Sequence, residues 1–108
     1  MKVTVYHKEH FGQKDSPLVR VAEVNAPYED VNSALEYAYR WTNNICGSWS
    51  RDDLEENGDY NENVTFVGEY PIAKDGRKLG ARSTSMFDIM ACEGNNYEVA
   101  AFGFREVA

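Results

Sequence analysis

The sequence predicts an α+β fold, in which a single five-stranded antiparallel sheet carries one helix on a face, in the order ββαβββ. Two observations predict it: several short segments alternate between apolar and polar residues, and one longer segment repeats apolar residues every three or four positions. The 108 residues are 43% hydrophobic, which is enough to fill one core, and no low-complexity linker divides them. We therefore expect a single domain over residues 1–108.

The first two strands are predicted at residues 2–7 and 18–24. In the first segment Val3, Val5 and His7 alternate with Thr and Tyr, so these three side chains share one face of the strand. The connection between the segments contains glycine, aspartate and a Ser-Pro pair, which favour turns. The two strands are therefore expected to form a hairpin with a long loop.

The helix has the strongest signal in the sequence. Between residues 28 and 44 the apolar side chains follow the spacing of an amphipathic helix, and Val31, Leu35 and Ala38 fall on its inner face. Tyr37 falls in the middle of the opposite, polar face. An aromatic side chain at this position is a place where a partner protein could dock.

The last two strands are predicted to form a closing hairpin, after a third strand at residues 64–70. The segments 87–92 and 97–104 flank a Glu-Gly-Asn-Asn sequence, whose central Gly-Asn pair suits a two-residue turn with positive φ. In the register that this turn dictates, Cys92 lies opposite Tyr97.

The negative charge of the chain is concentrated in one segment. The formal net charge is −7, yet residues 1–51 are balanced and residues 63–108 sum to only −1. Residues 52–62 contain six carboxylates and no basic side chain. The chain therefore lacks the broad cationic footprint that direct nucleic-acid binding needs, whereas an anionic segment favours a partner with a basic groove. The six carboxylates belong to Asp52, Asp53, Glu55, Glu56, Asp59 and Glu62.

This acidic segment lies in a long stretch without periodicity, residues 46–63, which predicts a loop. Loops of that length in small domains are usually functional or disordered. Trp49 and Tyr60 lie within the loop, and together with Tyr37 they are the aromatic anchors that we expect a partner to contact. The alternative interpretation is a solvated connection whose charges only keep the chain in solution.

A basic and hydroxyl-rich segment offers a second candidate site. Its cations, hydroxyls and flexible glycines could hold a phosphate or a carboxylate. The alternative is a turn followed by hydroxyls that satisfy local backbone groups. The candidate anion-binding residues are Lys78, Arg82, Ser83, Thr84 and Ser85.

The sequence indicates neither an enzyme nor a metalloprotein. No motif places a base beside a serine or cysteine nucleophile. Cys46 and Cys92 lie far apart without a Cys-x-x-Cys pair, and the spacing of His7 and His10 matches no zinc motif. We expect free thiols, no cofactor and no metal. No apolar stretch is long enough to cross a membrane and no signal peptide is apparent, which favours a cytoplasmic protein without a membrane partner.

Three segments of the chain resemble a family of small uncharacterised proteins from bacteriophages, plasmids and other mobile elements. They are residues 34–50 (ALEYAYRWTNNICGSWS), 82–90 (RSTSMFDIM) and 97–107 (YEVAAFGFREV), about half of the chain. The family pattern reads as a helix end AYRxTN, a Ser-Trp pair, RSTSxGD and a strand that ends in FGFxE. Phe87 departs from this pattern, because the family usually has glycine before Asp88.

The resemblance implies an origin in a phage or mobile element, and hence the cytoplasm of a host bacterium. The family has no assigned activity, so the resemblance implies no catalytic residue. Small acidic proteins of that origin often bind host defence machinery, in some cases by mimicking nucleic acid. We therefore interpret the chain as a stoichiometric inhibitor of a host defence complex, similar to anti-CRISPR proteins. The alternatives are a small-ligand or anion-binding domain and an oligomeric accessory phage protein, such as a homodimer.

Overall fold

A computed structural model of the chain describes residues 1–51, 54 and 58–107. Within these residues six strands form one antiparallel sheet, in the order β3-β2-β1-β4-β5-β6, and a single helix accompanies it. The predicted α+β class, the antiparallel sheet and the single helix are confirmed, but the predicted number of five strands is wrong. The elements are β1 (Lys2–Lys8), β2 (Leu18–Asn25), α1 (Val31–Trp41), β3 (Val64–Phe66), β4 (Ile89–Cys92), β5 (Asn95–Val99) and β6 (Phe104–Val107).

The sixth strand arises because the segment predicted as the last strand is divided by a turn. Ala100 N–H donates to Gly103 O at 3.0 Å, and Gly103 has a φ of 72°, a conformation that glycine adopts without strain. The chain reverses there, and β6 returns along β5 with Phe104 opposite Val99. Gly103 is therefore a turn residue and not part of a continuous strand.

The hairpin between β4 and β5 forms, but its register differs from the predicted one by two residues. Glu93 and Gly94 occupy the turn with φ values of 52° and 82°, and Cys92 lies opposite Asn95. Met90, not Cys92, lies opposite Tyr97. Because the difference is an even number of residues, the same side chains still face the core.

The helix is shorter than predicted at both ends. Asp30 is its N-cap, and its Oδ2 accepts a hydrogen bond from Ser33 N–H at 2.9 Å, which satisfies one of the first free amides. At the other end the Thr42 hydroxyl donates to Ala38 O at 2.7 Å. Leu35 and Ala38 are buried on the sheet as predicted.

The core lies between α1 and one face of the sheet. Val3, Val5 and His7 are buried on this face, in agreement with the predicted alternation of β1. Val24 and Met90 pack from the neighbouring strands. In the described part of the chain, no helix has the length and apolar character that a membrane span needs.

Candidate functional site

Two polar segments of the sequence, residues 42–50 and 81–88, meet in the folded chain. Asn44 follows α1, and its backbone N–H donates to Ser83 Oγ at 2.9 Å. Its side-chain Oδ1 accepts from Trp49 N–H at 3.0 Å. We call this contact between residues 42–50 and 81–88 the polar junction. It brings together motif residues that are about forty positions apart in the sequence.

The Ser-Trp-Ser sequence packs tightly against the start of the second segment. Ala81 N–H donates to Ser50 Oγ at 2.7 Å, and both residues are buried. Gly80 approaches the same turn so closely that a Cβ atom at this position would collide with Ser48 Oγ. A larger residue at position 80 would therefore need the Ser48 side chain to move.

Arg82 and Asp88 form the centre of the polar junction. Arg82 Nη1 donates to Asp88 Oδ2 at 2.6 Å and Nη2 to Oδ1 at 2.8 Å, which is a bidentate ion pair. Asp88 is fully buried and accepts two further hydrogen bonds, from Lys8 N–H and Ser85 N–H, each at 2.7 Å. This carboxylate therefore joins β1 to the loop before β4.

The backbone of Phe87 explains why this turn favours glycine. Phe87 has a φ of 76°, in the left-handed region that a residue with a Cβ atom adopts at a cost. A glycine at this position would avoid that cost.

A chain of hydrogen bonds runs through the buried side of the junction. The Thr42 hydroxyl donates to Ala38 O, and the Thr84 hydroxyl donates to Thr42 Oγ1 at 2.7 Å. Thr84 Oγ1 also lies 2.8 Å from His7 Nε2. Because the Thr84 proton is already used, His7 must be the donor in this contact, and its proton lies on Nε2.

His7 is held in its neutral form by this environment. It is 5% exposed, and burial lowers the pKa of its imidazole from 6.5 to about 4. The Asp88 carboxylate, whose Oδ2 lies 3.9 Å from Nε2, opposes this shift, and the Arg82 guanidinium adds to it. Sequence alternation placed His7 on the core face, but the threonine partners come from distant segments.

Trp49 belongs to the core and not to a docking surface. It is only 4% exposed, and its indole Nε1–H donates to Arg82 O at 2.8 Å. Its ring packs edge-on against His7 and Phe66, with centroid distances of 6.0 and 5.6 Å. The prediction of Trp49 as an exposed anchor is therefore corrected: the indole finds its apolar contacts and its hydrogen-bond acceptor inside the protein.

The predicted anion-binding groups are mostly engaged within the chain. Arg82 is neutralised by Asp88, the Ser83 hydroxyl accepts from Asn44, and the Thr84 hydroxyl is part of the buried chain. The Ser85 hydroxyl donates to Ser83 O at 3.0 Å. The Lys78 ammonium lies 4.6 Å from the centre of the Tyr70 ring. Of these three hydroxyls, that of Ser85 satisfies a local backbone group, as the alternative interpretation of this segment expects. The partners of the Ser83 and Thr84 hydroxyls come from the distant end of α1 and the residues after it.

The acidic segment is described only at its C-terminal end. Asp59 is 2% exposed, and its Oδ1 accepts from Arg40 Nη2 of helix α1 at 2.9 Å. It is therefore an anchor of the loop within the protein and not one of the surface charges. Glu62 and Tyr60 are exposed. The remaining predicted carboxylates, Asp52, Asp53, Glu55 and Glu56, lie outside the described residues.

Tyr37 lies in an aromatic groove beside α1, half-buried and packed against the core, so it does not stand in the middle of an exposed polar face as predicted. Its hydroxyl accepts from the amides of Asn61 and Asn63 at 2.8 and 3.1 Å, so the end of the acidic segment is attached beside it. The Tyr28 and Trp41 rings lie 5.9 and 6.2 Å from the Tyr37 ring. We call this surface, with a volume of about 390 Å³, the aromatic groove. Ser33, Glu36 and Arg40 complete its lining.

Comparison of the chain with protein-family models, with curated proteins and with solved structures gave no match. In the part of the chain that the structure describes, no three His, Cys, Asp or Glu side chains cluster as metal ligands. Cys46 is exposed and Cys92 is buried, and both are free thiols.

Proposed function

We propose that this protein is a non-enzymatic inhibitor that binds the basic, nucleic-acid-binding groove of a host protein complex. The class of complex to test first is a CRISPR-type defence nuclease, because the sequence resembles proteins of phages and mobile elements. The observation that supports the proposal is the attachment of the acidic segment beside the exposed aromatic groove. Glu36 and Tyr28 line this groove and are exposed, so a carboxylate and an aromatic ring lie on the same surface.

The attachment gives residues 59–63, at the end of the acidic segment, a defined position. Two kinds of contact hold residues 59–63 against α1. Asp59 forms an ion pair with Arg40, and the side-chain amides of Asn61 and Asn63 donate to the Tyr37 hydroxyl. A segment held in place can present its charges to a partner with less loss of conformational entropy than a free loop.

The chemistry of the groove suits lysine and arginine side chains. Tyr28 is 46% exposed and Tyr60 59% exposed, and aromatic faces attract cations. Glu36 lines the groove, Glu29 follows Tyr28 in the sequence, and Glu62 lies between the two asparagines that contact Tyr37; all three glutamates are exposed. A basic groove that normally holds phosphates would meet negative charge and flat rings here.

The first experiment uses the tagged protein as bait in a lysate of the host bacterium, and mass spectrometry identifies what it captures. The captured complex is then purified, and its binding to fluorescein-labelled nucleic acid is followed by anisotropy while the protein is added. We expect nucleic acid to be displaced with an end point near one protein per complex. The displacement should weaken steeply between low and high salt, because screening reduces charge attraction.

Two variants with the same change in net charge separate the acidic segment from the rest of the surface. The first carries Asp52→Asn, Asp53→Asn, Glu55→Gln and Glu56→Gln. The second, matched variant carries four neutralising changes at exposed carboxylates of other elements: Asp15→Asn, Asp75→Asn, Glu93→Gln and Glu106→Gln.

We expect the first variant to fold like the parent and to lose displacement, whereas the matched variant keeps it. If both variants displace nucleic acid as the parent does, the acidic segment is only a solvated connection. If the parent captures no nucleic-acid-binding protein from the lysate, the proposed function itself is wrong.

A further inference from the structure

A second cleft, separate from the aromatic groove, opens beside the polar junction. It has a volume of about 350 Å³ and lies against His7, between residues of β1 and β2 and the loop after β3. Part of its lining is apolar and comes from Val19, Val21, Phe66 and Pro71. Sites for small molecules typically combine such apolar walls with a few well-placed polar groups.

His7 supplies one such polar group, a hydrogen-bond acceptor. The hydroxyl chain through Thr84 and Thr42 fixes the imidazole proton on Nε2, so Nδ1 carries a lone pair. Among the described residues, no group donates a hydrogen bond to this nitrogen. Nδ1 is not one of the fully buried polar atoms that lack a partner, so it keeps some accessible surface, and a ligand with an N–H or O–H group could donate to it.

The charges around the cleft favour a cationic ligand. Glu9 and Glu69 line it and are both exposed, so their carboxylates can approach a bound cation. Arg82 also lines the cleft, but its guanidinium is paired with the buried Asp88. Lys8 contributes one positive charge against the two glutamates.

We propose that this cleft binds a small aromatic cation whose ring N–H donates to His7 Nδ1. The ring packs against Phe66 and Pro71, and its positively charged side chain faces Glu9 and Glu69. This inference does not depend on the proposed function, because it uses none of the residues of the acidic segment or the aromatic groove.

The test uses protein labelled with ¹⁵N in its two histidines, and long-range proton–nitrogen spectra report both nitrogens of each ring. Tryptamine, which has a ring N–H and a positive charge, is the probe. Indole lacks the charge, and indole-3-acetate carries the opposite one. We expect the His7 Nδ1 signal to move as tryptamine is added, with weaker responses to indole and the weakest to indole-3-acetate. His10, which is exposed, is the internal control and should not respond.

A matched pair of variants locates the binding. Val19 and Leu18 are neighbours with similar exposure, 43% and 45%, but only Val19 lines the cleft. Val19→Trp should fill the cleft and weaken tryptamine binding by at least about tenfold. Leu18→Trp should change it by no more than about twofold, as is usual for a surface substitution. Equal binding by the two variants would contradict the proposal.

A charge pair gives a second, independent readout should Val19→Trp fail to fold. Glu69→Lys should weaken the response to tryptamine and strengthen the response to indole-3-acetate. Glu93→Lys is the control, because Glu93 lies in the turn between β4 and β5. A His7 signal that stays fixed at millimolar tryptamine in the parent, or equal effects of the two lysine variants, would overturn the inference.

Discussion

Arg82 and Asp88 form a bidentate ion pair across the turn at residues 82–88, with N–O distances of 2.6 and 2.8 Å. The carboxylate is completely buried, whereas the guanidinium keeps part of its surface in solvent. With two backbone amides also donating to it, Asp88 is saturated with donors. Removing it would leave four buried or partly buried N–H groups without an acceptor, so this residue should dominate the stability of the turn.

We therefore expect Asp88→Ala to lower the free energy of unfolding by about 3–5 kcal/mol, the usual cost of breaking a buried ion pair. Urea unfolding followed by tryptophan fluorescence measures this change. The control is Asp75→Ala, which removes an exposed ion pair with Arg77 and should cost less than about 1 kcal/mol. Similar losses in the two variants would show that the buried pair is not essential to the fold.

Because the backbone at Phe87 is left-handed, we expect glycine and alanine at this position to have the opposite order of stability from the usual one. Phe87→Ala and Phe87→Gly both remove the ring, so they differ only in the Cβ atom. At an ordinary position glycine is the less stable by about 0.5–1 kcal/mol. With a φ of 76°, glycine should be the more stable of the two, by about 1 kcal/mol. Thermal unfolding of both variants checks this order. A higher melting temperature for Phe87→Ala than for Phe87→Gly would contradict the assigned conformation.

Leu35 tests the helix and its packing on the sheet. Its side chain is 2% exposed, and Leu35→Ala should cost about 2–5 kcal/mol, depending on how far the cavity collapses. Asn32→Ala, on the exposed side of the same helix, is the control and should change stability by less than about 0.5 kcal/mol. An unchanged melting temperature for Leu35→Ala would rule out the packing described.

The neutral His7 makes stability depend on pH. Its folded-state pKa of about 4 lies below the ordinary value of 6.5, so the unfolded chain binds the proton more readily between these values. Stability should consequently fall as the pH is lowered from about 6.5 to 4, by about 3 kcal/mol from this group. In His7→Gln, whose amide can still donate to Thr84, the fall over this window should be smaller. The comparison of the two urea-unfolding series isolates His7 from the carboxylates, and parallel curves would contradict the shifted pKa.

The periodic patterns of the sequence were sufficient to predict the class of fold. The alternation in β1 correctly placed Val3, Val5 and His7 on the core face of the sheet. The helical spacing correctly placed Leu35 and Ala38 on the side of α1 that packs on the sheet. The strand count failed because Gly103, within an apolar segment, does not reveal from its identity alone that it adopts positive φ. Periodicity reports which face a residue occupies, but it does not report where a strand reverses.

The site was harder to predict because its contacts are distant in the sequence. Trp49 lies in an aperiodic loop, and its acceptor, Arg82 O, is 33 residues away. In the acidic segment, nothing in the charge pattern distinguishes Asp59, which pairs with Arg40, from carboxylates that face solvent. Residues 42–50 and 81–88 do meet in space, but we did not predict that contact from the sequence.

The position of β1 in the sheet has a consequence for how the chain is made. Of the described strands β1 is synthesised first, yet it lies inside the sheet, between β2 and β4, and pairs with residues 89–92. The β1–β2 hairpin can form early, but the other edge of β1 stays uncovered until β4 has been synthesised. During that interval the nascent chain exposes an apolar strand edge, which makes incomplete or truncated products prone to aggregate.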